Sequence, residues 1–216
     1  MPEVEEGRAR HWDLRSILSF PSVYRLFGTL IGARRARIES VERYIRPKAS
    51  DRVLDCGCGP GELLDFLPSV DYVGIDIDEQ YIAAAHSRYG DRATFRLGSV
   101  GRDTIHEEDH YDLVLAWGLL HHLDDDQASE FLRLAHRCLK PAGRLVTMDG
   151  CYSDDQSRMA RYLLSSDRGA RVRSLEAWLE LVRPVFPGVK AHVRHDLLRI
   201  PWTHVIMECP AGSGNQ

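Results

Sequence analysis

Asp55, Gly57, Gly59 and Gly61 form the densest group of chemically useful residues in the chain, inside Arg52-Val53-Leu54-Asp55-Cys56-Gly57-Cys58-Gly59-Pro60-Gly61-Glu62. A short apolar run, an acid and alternating glycines read as strand, turn and helix start. Glycines allow backbone conformations that side chains resist and leave room for a ligand against the main chain. A dinucleotide loop needs Gly-x-Gly-x-x-Gly, and Glu62 stands where its third glycine would be. Without a diphosphate cradle, and with an acid two residues before the first glycine, the loop suits a ligand carrying a cationic amino group.

A second acid, Asp76, ends the apolar stretch Val73-Gly74-Ile75-Asp76-Ile77-Asp78. A carboxylate there can accept two hydrogen bonds from vicinal hydroxyls, or cap the helix that begins near Glu79. Further on, His121 and His122 follow the apolar segment Tyr111 to Leu120. Histidine is suited to removing a proton from a nucleophile, and equally to capping or packing the next helix. Asp149, Tyr152 and His204 stand at predicted strand ends or just beyond one, where α/β sheets carry polar pocket groups.

The order of these segments resembles the class I S-adenosylmethionine-dependent methyltransferases, and more narrowly a type 11-like small-molecule methyltransferase domain. The family pattern Asp/Glu-x-Gly-x-Gly-x-Gly is met by Asp55, Gly57, Gly59 and Gly61. The resemblance implies S-adenosyl-L-methionine as cofactor and S-adenosyl-L-homocysteine as product. It implies that Asp76 and Ile77 meet the ribose end, and that Ser99 and Val100 meet the adenine, where the family often has Gly-Asp. A surface turn is the alternative for Ser99 and Val100. Tyr111 to Leu123 is similar to the fourth family motif, which places Ala116 and Trp117 at the cofactor. Trp117 can wall the pocket or simply pack in the core. Leu139-Lys140-Pro141-Ala142-Gly143 through Met148 matches the fifth. Together the matches cover residues 50 to 150.

To position these residues the chain must alternate strands with helices, and it does. Strands are expected near 52–55, 71–76, 93–97, 111–117 and 143–149, with helices near 61–67, 79–89 and 126–139. Asp124-Asp125-Asp126 supplies capping acids for the last of these. Two closing strands are expected near 189–193 and 204–209. The fold is therefore α/β: a Rossmann-like, doubly wound, seven-stranded and mostly parallel sheet with helices on both faces. Residues 1–210 form one methyltransferase domain. It divides into an N-terminal helical appendage of two helices (1–48), a cofactor core (50–150), a substrate-region insertion (150–187) and the closing strands (188–210). Residues 211–216 are a tail. The insertion carries Arg161, Arg168, Arg171 and Arg173, whose guanidinium groups either converge on a substrate anion or form a solvated face. Arg168, Arg173 and Tyr152 are the substrate candidates. A helix is expected from Ser174 to Arg183, with Ser174 as its cap.

Composition narrows the class. The 216 residues suit one core, and a net charge of -4 with pI near 6.2 gives no electrostatic case for nucleic-acid binding. No apolar run approaches the roughly 20 residues of a membrane span. The acidic start Met1-Pro2-Glu3-Val4-Glu5-Glu6 and the odd count of five cysteines point to a cytoplasmic protein. Cys56 and Cys58 lack the spacing of a zinc site, so no metal is expected. The expected acceptor is a small molecule, methylated on a hydroxyl and bearing an anionic group. A noncatalytic cofactor-binding protein, or a methyltransferase of protein or nucleic acid, is the alternative.

Overall fold

The computed structural model describes residues 30–101, 104–166 and 171–212. Eight strands occur among them: β1 (Arg52–Cys56), β2 (Asp71–Asp76), β3 (Thr94–Leu97), β4 (Tyr111–Trp117), β5 (Leu139–Tyr152), β6 (Arg173–Ser174), β7 (Lys190–Arg194) and β8 (His204–Pro210). The main path runs β3-β2-β1-β4-β5-β8-β7, with the two-residue β6 paired to β5 off that path. The first five strands are parallel, and β8 runs antiparallel to both β5 and β7. This is the mostly parallel seven-stranded sheet expected, with a small extra strand.

Strand alternation divides the core into two layers. In β1 and β4, Leu54, Val114 and Ala116 face one layer, while Val53, Leu113 and Leu115 face the other. The first layer is completed by α3 (Asp125–Cys138) and α5 (Leu175–Val182), the second by α1 (Ala33–Ser40) and α2 (Glu79–Tyr89). α3 begins with a full capping box: the Asp124 carboxylate accepts from Gln127 N, and the Gln127 amide oxygen accepts from Asp124 N. Ser174 caps α5 as expected. α4 (Arg158–Ser165), capped by Ser157, was not expected, because its arginines break the apolar run that would mark a helix.

Other details depart from the sequence reading. The segment near 61–67 forms only a 3₁₀ turn, Glu62–Phe66, because Leu67 precedes Pro68 and takes an extended conformation with ψ 148°. β5 is longer than expected at both ends: Leu139 already pairs with Tyr111 of β4, and β6 pairs with it at Cys151 and Tyr152. The first of the two N-terminal helices lies outside the described residues, as does Arg168. The second is α1, which runs into a π-helical turn, Val41–Ile45. No helix among the described residues is long and apolar enough to cross a membrane.

Candidate cofactor and methyl-transfer site

The glycine loop leaves β1 at its C-terminal end, beside the ends of β2 and β4, where open α/β sheets bind ligands. Gly57, Gly59 and Gly61 have φ of 74°, 54° and 74°, in the left-handed region that other residues resist. The loop is pinned to β2 by the amides of Gly57 and Cys58, both donating to Ile75 O at 2.8 and 3.0 Å. A Cβ on Gly57 would meet Leu119 at 3.3 Å, whereas one on Gly59 would meet nothing within 4 Å. Gly59 thus presents bare backbone to open space.

Asp76 is tied to this loop. Its Oδ2 accepts from Gly59 N at 2.7 Å and its Oδ1 from Asp78 N at 2.9 Å. Asp78, not Asp76, caps α2 by accepting from Gln80 and Tyr81, so the capping alternative for Asp76 falls away. Ile77 and Leu97 are large apolar side chains left exposed at the ends of the neighbouring strands β2 and β3. Leu97 went unnoticed in the sequence, where it reads only as the last apolar residue of a strand. Ser99 and Val100 follow on the same loop; Ser99 O accepts from Thr104 Oγ1 at 2.6 Å, and Val100 packs against the core.

Asp55 is almost fully buried. Its Oδ2 accepts from Tyr72 OH at 2.6 Å, while Oδ1 has no protein partner. Burial raises its pKa to about 7, the Tyr72 hydrogen bond lowers it, and Asp76 raises it further. Asp55 lines a cleft of about 70 Å³ with Arg37, Gly57, Cys58, Gly59, Pro60, Glu62, Leu63 and Trp117. Arg37 comes from α1 and pairs with Glu62 at 2.7 Å. Nothing in the run Arg34-Arg35-Ala36-Arg37 singles it out in sequence. Trp117 walls the cleft, whereas Ala116 is fully buried and does not line it. Cys58 is an unsuitable nucleophile, its thiol pushed far up, chiefly by burial. No metal-binding group of three or more ligands occurs among the described residues.

Beyond Trp117, Gly118 turns the chain at φ 70° into a 3₁₀ turn, Leu120–His122. The two histidines diverge in environment. His121 is half-buried, its Nδ1 lies 2.8 Å from Asp149 Oδ1, and its backbone N donates to the same oxygen at 3.1 Å. His122 is exposed, its ring centroid 4.1 Å from that of His121. Asp149 Oδ2 is buried without a hydrogen-bond partner. His204, opposite Gly150 on β8, is buried with its pKa lowered to about 4, first by desolvation, then by His121 and Arg194. It is a neutral imidazole at pH 7. Tyr152, three residues beyond Asp149, lies under the Arg161 guanidinium at 5.4 Å. Arg173 turns inward, donating to Asp125, Leu120 O and Leu123 O.

Residues 53–143 match a methyltransferase domain family. The N-terminal Xaa-Pro-Lys N-methyltransferase 1 of Rattus norvegicus is 34% identical over 162 residues, covering 70% of this chain and 68% of its own length. The chain belongs to the class I S-adenosylmethionine-dependent methyltransferases. This methyltransferase is also 32% identical over 157 residues to the 27-O-demethylrifamycin SV methyltransferase of Amycolatopsis mediterranei, covering 69% of this chain but only 51% of that one. Among solved structures, it shares its fold with Haemonchus contortus phosphoethanolamine N-methyltransferase 2 in complex with phosphomonomethylethanolamine and S-adenosylhomocysteine. The TM-score is 0.73 at 14% identity, over 93% of this chain and 59% of the other. Its cofactor is S-adenosylmethionine. The loop suits that molecule on its own terms: an orphaned carboxylate oxygen on Asp55, open backbone at Gly59 and a two-oxygen acceptor at Asp76.

Proposed function

We propose that this methyltransferase acts on a hydroxyl oxygen of a small molecule, with His121 as the base and Asp149 as its orienting partner. The observation that carries the reading is the 2.8 Å contact between His121 Nδ1 and Asp149 Oδ1 at the end of the loop that follows β4. A carboxylate on Nδ1 places the ring proton there and gives Nε2 the lone pair that can take a proton from a hydroxyl. Bound S-adenosylmethionine supplies a methyl group on a sulfonium, already activated toward displacement.

In this reading Asp55 faces the amino group and Asp76 the ribose hydroxyls, while Ile77 and Leu97, with Ser99 and Val100, flank the adenine. Arg37 pairs with the carboxylate of the amino-acid end. Trp117 closes the wall between cofactor and acceptor, and the residues hold both in line, where alignment is worth roughly 7–11 kcal/mol of barrier. The expectation of an anionic group on the acceptor gains no support from Arg173, whose donors are engaged within the chain.

The rifamycin relative's name describes methylation of an oxygen, and the rat relative's that of an N-terminal amine, so both acceptors belong in one assay. With methyl-labelled cofactor, a panel of hydroxylated polyketides should take up label and an Xaa-Pro-Lys peptide should not; the reverse outcome reverses the assignment. His121→Gln should lower turnover by about 10²-fold or more while S-adenosylhomocysteine affinity stays within about twofold. Undiminished turnover would remove His121 as base.

A further inference from the structure

The histidine turn is only three residues long, has no side-chain cap, and is held internally by His122 N donating to Leu119 O and Leu123 N to Leu120 O. A 3₁₀ segment this short fixes its own side-chain directions weakly. Something outside it must set where His121 points.

Arg173 is placed to do this. It lies in β6, paired with Cys151 on β5 two residues beyond Asp149. Its Nη1 donates to Leu120 O at 3.3 Å and its Nη2 to Leu123 O at 2.9 Å, so one guanidinium spans the turn that bears His121. Its Nε and Nη2 also donate to Asp125 Oδ1 at 3.0 and 2.7 Å, at the first residue of α3. The guanidinium carbon sits 4.7 Å from the Trp178 ring, and Trp178 Nε1 donates to Gly150 O at 3.1 Å. The contacts close a circuit: β5 supports Trp178, Trp178 supports Arg173, Arg173 holds the turn, and His121 of that turn returns to Asp149 on β5. The Arg173 side chain is 9% exposed, against 83% for Asp125. A lysine offers a single ammonium and cannot span three acceptors in a plane as the guanidinium fork does.

We propose that Arg173 is a positioning residue, through which the insertion after β5 sets the orientation of His121 against Asp149. The proposal rests on His121 being the functional histidine, but its test reads the position of the ring rather than turnover. In protein labelled with ¹⁵N-histidine, the His121 Nδ1–H proton bonded to Asp149 should give a downfield, exchange-protected resonance, assigned by its loss in His121→Gln. Arg173→Met should bind S-adenosylhomocysteine within about threefold of the parent while that resonance broadens away, and Arg173→Lys should restore it in part. Asp112→Ala removes an ion pair with Lys140 at the opposite end of β4. That variant should lose stability without moving the signal, separating positioning from a general loss of packing.

An unchanged resonance in Arg173→Met would overturn the proposal, as would its absence from the parent protein. Should Arg173→Met fail to fold, Asp125→Ala removes the exposed anchor alone; a broadened His121 signal there supports the proposal and an unmoved one overturns it. Failure of the base assignment would appear instead as undiminished turnover in His121→Gln, with the resonance still present in the parent protein and lost in Arg173→Met.

Discussion

Asp55 shows how one buried group couples folding, pH and cofactor. Its folded pKa of about 7 lies above the ordinary carboxylate value of 3.8. The folded state therefore binds the proton more tightly than the unfolded state. The resulting stability is complete below about pH 4, declines between pH 4 and 7, and is gone above pH 7. The difference between the two values sets an upper bound of about 4 kcal/mol. Asp55→Asn keeps an acceptor for Tyr72 OH and removes the titration. Thermal melts of the cofactor-free protein should then show the parent losing stability from pH 4.5 to 7.5 while Asp55→Asn does not. Cofactor affinity should move the opposite way, because the ammonium that the proposed placement sets beside Asp55 favours the ionised carboxylate. S-adenosylhomocysteine should bind the parent more tightly as pH rises toward 7, and Asp55→Asn should bind weakly with a flat profile. Parallel melting profiles for the two proteins would refute the assignment. Asp55 was legible as a site residue because an acid two positions before a glycine run is a strong pattern. Its elevated pKa was not, since the complete burial and the nearby Asp76 that raise it depend on how the neighbouring strands pack.

At the scale of elements, the loop between β1 and the 3₁₀ turn separates packing from binding. Gly74 sits beneath it on β2, where an added Cβ would lie 2.8 Å from Cys58 Sγ and 3.0 Å from Phe95. Gly59 faces open space at φ 54°. Gly74→Ala should therefore destabilise the fold by about 1–3 kcal/mol through overpacking. Gly59→Ala should cost about 1–2 kcal/mol for the left-handed backbone, but its methyl enters the open space that the proposed cofactor placement fills. Calorimetry should find Gly59→Ala folded with S-adenosylhomocysteine affinity down tenfold or more, and Gly74→Ala less stable with a smaller loss of affinity per kcal/mol. Equal affinity losses at equal stability would show that the loop has no separate binding face. Alternating glycines and apolar runs made the core strands and the capped helices α2, α3 and α5 readable from local pattern. α4 escaped because Arg158 and Arg161 interrupt its apolar residues, and the length of β5 escaped because β4 and β6, which pair with its two ends, are distant in sequence.

At the scale of the molecule, the N-terminal helix is joined both to the closing strands and to the cofactor loop. Arg194 on β7 donates to Glu39 at 2.6 Å and to Tyr44 OH at 2.8 Å, Arg46 pairs with Glu208 on β8, and Arg144 on β5 donates to Ile45 O. These contacts hold α1 against the sheet, and Arg37 carries that hold to Glu62 beside the glycine loop. Helical spacing revealed the helix, but its docking depends on pairs of residues 99 to 162 positions apart, such as Ile45 with Arg144 and Arg46 with Glu208. With Arg37 and Glu62 joined the cleft measures about 70 Å³, whereas pockets that bury a ligand are typically about 300 Å³ or larger. On the proposed placement of the cofactor, the pair parts to admit it. If Arg37 then exchanges Glu62 for the cofactor carboxylate, the two partners have different kinetic consequences. Glu62→Gln weakens the closed pair and leaves Arg37 in place for the ligand, so S-adenosylhomocysteine should associate severalfold faster with its dissociation rate nearly unchanged. Arg37→Ala removes the closed pair and the ligand contact together, so association should also quicken, but dissociation should quicken more. A lost hydrogen bond to a charged group, worth about 1.5–3 kcal/mol, corresponds to net affinity lower by roughly 10–100-fold. Stopped-flow fluorescence can read both rates from Trp117, which lines the cleft, with Trp117→Phe as the control for the other tryptophans. Identical effects of the two substitutions on both rates would show that Arg37 serves only to close the cleft and makes no contact with the cofactor.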